Sequence, residues 1–408
     1  MELRPILSAM RRNKVGAILI GVQMAITLAI LCNALFIIEQ RVALSKRPTG
    51  ADENNIFVMG NQWVGNPPDL KAKQQADLAA LRSMPGVVDA VAGNSYPMSN
   101  SGSTEGAALN PDQKEPTALT ALYFGDEHAL NTFGLRLIAG RNFNTEEVID
   151  KMGYTDLTPP PAIIVTRTLA EKLFPGKNAL GQSVYVGGEK KSIPIVGIVD
   201  RLQVPWTQAG GWGSKFNDNS TIAPYHFVSP YAFYIVRVQP GRLATVMKAA
   251  EKTLFDLDRY RVIDKIRTLG EVRANAYQDD RGLVVILSVV CAALVAVTAF
   301  GIVGLTSYWV SQRRRQIGIR RALGATRNAI IHYFQTENFL IAAAGSLAGV
   351  AMAVGLNLWM VSTFEMERLN AGYAFVGAIL VLLLGQLAVL WPAFKAASIP
   401  PALATRAA

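Results

Sequence analysis

The chain has 408 residues, of which 50% are hydrophobic and 17% charged, and its mean hydropathy is +0.24. This composition is too apolar for an ordinary soluble protein of this length and favours a membrane protein. The formal net charge of +10 would fit a nucleic-acid-binding protein only if the charge were spread over a folded domain rather than placed beside membrane segments.

Four stretches of the sequence are long and uncharged enough to cross a bilayer. Each exceeds the roughly 20 residues that a helix needs to span the hydrocarbon core, and none contains Asp, Glu, Lys or Arg. The first is too long for the apolar part of a secretion signal, so we interpret it as an uncleaved anchor. The predicted transmembrane spans are residues 15–38, 282–310, 339–361 and 371–394.

The basic residues predict how these spans are oriented. Three segments outside the spans hold 12 of the 40 Lys and Arg residues but only two acidic residues, Glu2 and Glu337. The positive-inside rule places these segments in the cytoplasm, so the net charge lies beside the membrane and argues for anionic lipid and against nucleic acid as a partner. The cytoplasmic segments are then 1–14, 311–338 and 395–408, and the external segments are 39–281 and 362–370.

Segment 39–281 is long enough to fold around its own core, and it contains no cysteine for a disulfide. Its patterns mix short amphipathic helices with strands, and we expect two lobes on helical stalks at 39–47 and about 268–282. The Ser-, Gly-, Thr- and Pro-rich stretch 99–118 predicts a loop, and the polar run 261–282 predicts a mostly helical segment. The expected fold class is an α-helical membrane protein with four transmembrane helices and a large extracytoplasmic mixed α+β domain.

The sequence contains no motif that indicates catalysis or a bound cofactor. It has no GxxxxGK[ST] loop for nucleotide phosphates, no GxSxG elbow, and no HExxH or CxxC pair. His128, His226 and His332 are far apart in the sequence. We therefore expect no catalytic residues, no metal site and no cofactor on this chain, and we do not expect it to be an enzyme.

Two glycines in the third span predict a close helix contact. Gly345 and Gly349 are one turn apart, so they lie on the same face of a helix. Small residues at this spacing let two helix backbones approach each other in a membrane. The contact could lie within the chain or at the seam of a dimer.

Segment 311–338 contains more than an orientation signal. Its stretch QRRRQIGIRRALGATRNAIIHYFQTE (312–337) adds apolar side chains to the arginines, and Gly318 and Gly324 allow a tight bend. We expect a short amphipathic helix that lies along the membrane and docks with a cytoplasmic partner. Residues 1–14 have the same character and predict a second amphipathic helix.

Two parts of the sequence resemble known families. RRRQIGIRRALGATRNAII resembles the signature of the FtsX-like permease domain, although the usual pattern has an acidic residue where this chain has Gln316. The segments MPGVVDAVAGNSYPM, FGLRLIAGRNF, IIVTRTLAEKLFPGKNALGQSVYVGG and PIVGIVD resemble the periplasmic core domain of MacB-type transporters. Together the two resemblances cover almost the whole chain.

The resemblance implies a stand-alone permease subunit of a MacB-type ABC transporter, without a fused ATPase, in the bacterial inner membrane with both termini cytoplasmic. Its partners would be a separate ABC ATPase that binds ATP and magnesium, and a second permease protomer, identical or paralogous. A periplasmic adaptor and an outer-membrane channel are further candidates.

The family mechanism is mechanotransmission. Closure of the ATPase subunits would be transmitted to the periplasmic domain to drive efflux or export of antibiotics, peptides or similar molecules. A lipoprotein-releasing permease of the LolC/LolE type and an FtsX-like regulator of cell-wall hydrolases are alternatives. By resemblance, the residues that dock the ATPase are Arg313, Arg314, Arg315, Ile317, Gly318, Arg320, Arg321, Leu323, Gly324, Ala325 and Thr326.

Overall fold

The computed structural model describes residues 14–65, 67–188, 190–207, 218–364 and 368–399. The chain divides into two compact units. We call the first the helical unit (Met1–Ala43 and Asp280–Ala408) and the second the α+β unit (Leu44–Asp279). The predicted helix over 1–14, except for Lys14, and the tail beyond residue 399 lie outside the described residues.

The helices are α1 (Lys14–Ser45), α2 (Leu70–Ser83), α3 (Ala129–Phe133), α4 (Arg167–Leu173), α5 (Leu243–Leu257), α6 (Leu269–Ala276), α7 (Gln278–Gln312), α8 (Arg314–Ala322), α9 (Arg327–Phe364) and α10 (Ala371–Ala397). The strands are β1 (Ile56–Trp63), β2 (Val87–Gly93), β3 (Ser103–Ala108), β4 (Ala118–Gly125), β5 (Leu137–Gly140), β6 (Ile149–Met152), β7 (Ile163–Thr166), β8 (Ser183–Val186), β9 (Ile193–Val199), β10 (Ser220–Val228), β11 (Tyr231–Val238) and β12 (Arg261–Thr268). Two short 3-10 turns lie at Glu53–Asn55 and Thr145–Glu147.

Among the described residues, four helices are long and apolar enough to cross a membrane: α1, α7, α9 and α10. Each of them contains one of the four predicted spans and continues beyond it. The predicted cytoplasmic segment 311–338 is accordingly not a separate loop. It comprises the end of α7, all of α8 and the first turns of α9, because the long helices carry on past their apolar stretches.

The predicted glycine face of the third span packs against α1 within the chain. A Cβ atom on Gly345 would lie 2.7 Å from the Gly21 carbonyl oxygen, and one on Gly349 would lie 2.9 Å from the Ala25 carbonyl oxygen. Both distances are shorter than real Cβ contacts, so only glycine allows the two backbones to come this close. This face is therefore occupied by the chain's own first helix.

Polar side chains in the same helices form bonds between helices. The Thr27 and Thr298 hydroxyl oxygens are 2.8 Å apart and link α1 to α7. The Asn33 amide donates to the Ala353 carbonyl oxygen at 3.1 Å and links α1 to α9. Each such hydrogen bond contributes only about 1 kcal/mol in a membrane, so its main effect is to set which residues of the two helices lie opposite each other.

The α+β unit contains a four-stranded antiparallel sheet in the order β12-β1-β11-β2. The side chains of Phe57 and Met59 on β1 pack in one core with Leu81 of α2 and Leu254 of α5. Ile56 and Val58 on the same strand point into a second core, which the unit's other sheet also lines. Burial on both faces explains why β1 begins as a continuous apolar run rather than an alternating one.

The second sheet has eight strands in the order β4-β3-β8-β9-β7-β10-β6, with β5 paired to β9. An additional pairing between β4 and β10 joins the first strand of this order to a later one and closes a ring of six strands. Pairings in this sheet are both parallel and antiparallel. The expected mixed α+β content is present, and the division into two lobes on stalks stays a prediction.

Two expectations for this unit are wrong in part. Stretch 99–118 contains no helix or strand at 99–102 and 109–117, as predicted, but its residues 103–108 form β3, which pairs with β4 and β8. The first part of the run 261–282 is strand β12 rather than helix. A register shift against β1 and the positive φ of Lys265 interrupt the strand's alternation, so its pattern does not indicate a strand.

Candidate functional site

The arginine-rich segment forms a short helix between two long ones. After α8 the chain turns at Gly324, whose φ of +97° is a left-handed conformation that suits glycine. The hydroxyl of Thr326 then accepts a hydrogen bond from the Ala329 backbone N–H at 3.2 Å and caps the first turn of α9. The sequence thus contains the stop signal of one helix and the start signal of the next.

One face of α8 is apolar and turned inwards. Ile317 is 5% exposed and belongs to the core of the helical unit, together with Ile330 and Phe334 from the start of α9 and Ala396 from the end of α10. Gly318 beside it is buried as well and lies within the helix, so the bend that the sequence suggested there is absent and only Gly324 forms a turn. This packing holds α8 against the ends of two spanning helices.

Arg313, at the start of α8, is bound inside the chain. Its Nη1 atom donates to both carboxylate oxygens of Glu337 on α9, at 3.1 and 2.9 Å. The Arg313 side chain is 13% exposed and that of Glu337 3%. A charge pair with so little exposure fixes where α8 begins, so Arg313 positions the helix.

Arg321, at the other end of α8, is also engaged within the chain. Its Nη1 atom donates to the carbonyl oxygens of Ala397 and Ile399, at 3.0 and 2.7 Å. These carbonyls lie at the carboxyl end of α10, where a helix has unpaired acceptors and a partial negative charge. The guanidinium therefore acts as a cap that joins α8 to α10.

The exposed residues of α8 combine positive charge with apolar side chains. Arg314, Arg315 and Arg320 are exposed, and Ile319 and Leu323 are 45% and 83% exposed. Arg315, Ile319 and Leu323 are each four residues apart and so form one line along the helix. We call these five residues the coupling surface. Two exposed apolar side chains flanked by arginines suit a partner that offers an apolar groove with acidic residues beside it.

Arg320 is held in its exposed position by an aromatic ring. Its guanidinium carbon lies 5.0 Å from the centre of the Tyr333 ring on α9, a cation–π contact. Of the other predicted residues, Ala325 is half-buried against the core and Gly324 forms the turn.

Sequence reasoning missed the role of Glu337 and Tyr333 in this arrangement. Glu337 is the only acidic residue in segment 311–338, which was a signal that it pairs with one of the arginines. Nothing in the sequence distinguishes Tyr333 from other aromatic residues near the ends of the spans.

Two of the histidines, although far apart in the sequence, line the same cleft of the structure. His128 and His226 both line a cleft of about 270 Å³ in the α+β unit. The Nδ1 atom of His128 lies 2.9 Å from an Asp89 oxygen, and that of His226 lies 3.5 Å from an Asp150 oxygen. They meet because β10 pairs in parallel first with β4 and then with β6, which brings distant parts of the sequence to one place.

A buried carboxylate lies in the wall of this cleft. Asp126 is 4% exposed and accepts the His128 backbone N–H at 3.0 Å. Burial raises the pKa of the Asp126 carboxyl, and the positive charge of Arg82, whose Nη2 atom is 3.3 Å away, opposes that rise.

Comparisons with known proteins agree on both parts of the chain. Residues 15–253 match the family model described as the MacB-like periplasmic core domain, and residues 288–401 match the FtsX-like permease C-terminal domain. A solved structure of the extracellular domain of the noncanonic ABC-type transporter YknZ from Gram-positive bacteria is similar with a TM-score of 0.32 and 17% identity, over 51% of this chain and 100% of that one.

Two relatives differ in how much of their length they share with this chain. The uncharacterized ABC transporter permease YknZ of Bacillus subtilis is 22% identical over 384 residues, which are 90% of this chain and 88% of YknZ. The macrolide export ATP-binding/permease protein MacB of Chromobacterium violaceum is 24% identical over 55% of this chain, which spans about a third (33%) of that protein. Since the core-domain model alone covers more than half of the chain, the chain belongs to the family of ABC transporter permeases that combine a MacB-like periplasmic core domain with an FtsX-like permease domain.

Proposed function

We propose that this chain is the permease subunit of a MacB-type ABC transporter and that the coupling surface on α8 docks a separate ATPase subunit. The observation that carries the proposal is that some residues of α8 bind within the chain while others are exposed. Arg313, Ile317 and Arg321 hold the helix in place from within, and Arg314, Arg315, Ile319, Arg320 and Leu323 are left outward. A helix that is fixed at three points along one face, to α9 and to α10, transmits a push on its outer side to these two helices instead of yielding to it.

The rest of the proposal follows the family. The spans lie in the bacterial inner membrane with both termini and α8 in the cytoplasm and the α+β unit in the periplasm. Two protomers work with two ATPase subunits, and closure of the ATPases reaches the α+β unit by mechanotransmission. The motion of the α+β unit drives efflux or export of antibiotics, peptides or similar molecules. An adaptor and an outer-membrane channel are further partners. The match to the uncharacterized ABC transporter permease YknZ over 90% of this chain supports the role of a permease.

The test begins with the full chain purified in mild detergent from its own host, where the co-purifying ATPase is identified by its phosphate-binding loop. Purified permease and ATPase are then recombined, and binding and ATP hydrolysis are measured. Charge reversal of Arg314 and Arg320 together with Leu323→Asp is expected to weaken binding at least about tenfold and to abolish stimulation of ATP hydrolysis, because charge complementarity and buried apolar area are lost together.

A matched control is charge reversal of Arg259, which belongs to the α+β unit. It should leave binding and stimulation unchanged. The docking role is refuted if the triple variant on the coupling surface binds and stimulates the ATPase as well as the unmodified chain. Recovery of a lipoprotein carrier or a cell-wall hydrolase in place of an adaptor would move the function to one of the two alternatives.

A further inference from the structure

We propose that Asp126, Glu127 and His226 bind one divalent transition-metal ion of the Zn²⁺ class in the cleft of the α+β unit. Each of the three residues offers one ligand atom, and these atoms all lie within 4.8 Å of one another. A nitrogen and two carboxylate oxygens are ligands that Zn²⁺ and Co²⁺ accept. The docking of an ATPase on α8 does not involve this site, so the metal-binding test does not depend on the outcome of the docking test.

The strand arrangement explains why these three residues meet. β10 pairs in parallel with β4 up to Pro224, which lies opposite Gly125, and then with β6 from Tyr225 onwards. Asp126 and Glu127 follow β4 directly, so they leave the sheet at the point where His226 remains on β10. The carboxylates and the imidazole are therefore brought together by strand register rather than by sequence proximity.

The distances suit a shared ion better than a direct hydrogen bond. The His226 Nε2 atom and the Asp126 Oδ2 atom are 3.9 Å apart, beyond hydrogen-bond reach. Metal bonds to nitrogen and oxygen are about 2.0–2.2 Å long, so two ligands of one ion lie roughly 3–4 Å apart. Three protein ligands leave a fourth position, open to the cleft, for water or for a donor atom of a bound molecule.

A third carboxylate, that of Asp150, lies near the other ring nitrogen of the imidazole. Asp150 lies directly opposite His226 in the β6–β10 register, and one of its oxygens is 3.5 Å from His226 Nδ1. The other oxygen is 2.7 Å from the Lys71 ammonium, which fixes the carboxylate in turn. Histidines that bind metal ions commonly have a carboxylate at their second ring nitrogen, which sets the tautomer and leaves Nε2 free to bind.

The side chain of Glu127 gives a second observation that points to a cation. Its Oε2 atom is buried and has no hydrogen-bond partner among the described residues, while its backbone oxygen accepts from the Asn142 amide at 2.7 Å. A buried carboxylate oxygen without a partner is costly, and a dication at this position would remove that cost.

Arg82 is the competing positive charge at this place, and its geometry leaves room for an ion. Its Nε and Nη2 atoms donate to the Ala90 carbonyl oxygen at 2.9 and 2.6 Å, whereas its contact with Asp126 is longer, at 3.3 Å. The guanidinium is thus held mainly by the backbone. The two carboxylates, when ionised, carry two negative charges, which match one divalent ion.

The experiment uses the full chain in detergent, without a histidine tag and stripped with a chelator. It is titrated with Co²⁺, which enters zinc sites and absorbs visible light, and Zn²⁺ is then added to displace it. One Co²⁺ per chain is expected. His226→Gln should lower its affinity at least tenfold, since even loss of an outer partner such as Asp150 costs about 10- to 100-fold.

Glu127→Gln is the second variant, because it keeps the shape of the side chain and removes only its charge. Zn²⁺ should raise the melting temperature of the unmodified chain but not that of Glu127→Gln, as expected when an ion binds only the folded state. His332→Gln, which removes an exposed imidazole on α9, is the matched control and should bind Co²⁺ like the unmodified chain. The site is refuted if no saturable binding occurs, or if His226→Gln and His332→Gln bind equally well.

Discussion

Each unit contains an arginine–carboxylate pair that joins two elements, and the two pairs differ in their surroundings. In the α+β unit, Asp77 of α2 and Arg261 of β12 are each 1% exposed, with two N–O contacts of 2.6 and 2.9 Å. The Tyr234 hydroxyl donates to the same carboxylate at 2.7 Å, and the guanidinium carbon lies 4.0 Å from the centre of the Trp63 ring. Every polar atom of the carboxylate is thus occupied inside a closed core.

The pair in the helical unit is simpler and less enclosed. Arg313 contacts Glu337 through Nη1 alone, and its side chain is 13% exposed. Arginine–carboxylate pairs therefore have two uses in this chain. The first pair closes a core, so its loss should appear as a loss of folding. The second sets the position of a surface helix, so its loss should appear first in the activity of a partner.

The largest effect is expected from Asp77→Asn. The change leaves the Arg261 charge buried without a counter-charge, which typically costs about 3–5 kcal/mol of unfolding free energy. Thermal unfolding of the full chain in detergent, followed by tryptophan fluorescence, measures it. Asp256→Asn is the control, because the Lys252–Asp256 pair is 78% and 56% exposed and such pairs contribute only about 0.3–0.5 kcal/mol. Equal melting temperatures for the two variants would contradict the core-closing role of Asp77.

The second prediction concerns Glu337→Gln, which leaves Arg313 without its partner charge. The fold of the α+β unit should be unaffected. Affinity for the ATPase should fall at least about tenfold, or about 1.4 kcal/mol of binding free energy, because the start of α8 is no longer held in place. Binding and ATP hydrolysis are measured with the recombined complex. Glu39→Gln, at an exposed position on α1, should leave both unchanged. Normal coupling in Glu337→Gln would mean that the outer face of α8 does not depend on this pair.

Sequence patterns predicted the parts of this molecule that depend on local composition. The four apolar helices, the bend at Gly324 and the close approach at Gly345 all follow from residue type and spacing, because bilayer length, backbone freedom and side-chain size act locally. Strand β3 was missed because its Ser, Gly and Ala residues do not favour a strand, and β12 was missed because a bulge interrupts its alternation.

The two candidate sites also differ in how much of each depends on local sequence. The sequence identified α8 as a basic, amphipathic segment, but not which arginines turn inwards, because that depends on Glu337 and on the end of α10. The cleft with His128 and His226 could not be predicted at all. Its residues meet only through the parallel pairing of β10 with two strands that lie far away in the sequence.

The smallest effect is expected at Tyr333, whose ring faces the Arg320 guanidinium. Tyr333→Leu keeps apolar volume but removes the aromatic face, and cation–π contacts at exposed sites are worth about 0.5–1 kcal/mol, so affinity for the ATPase should fall about two- to fivefold. Tyr333→Phe keeps the ring and should bind like the unmodified chain. Titration of the recombined complex separates the two. If the two variants bind the ATPase with the same affinity, the Tyr333 ring does not position Arg320. The coupling surface is then held in place by Arg313, Ile317 and Arg321 alone.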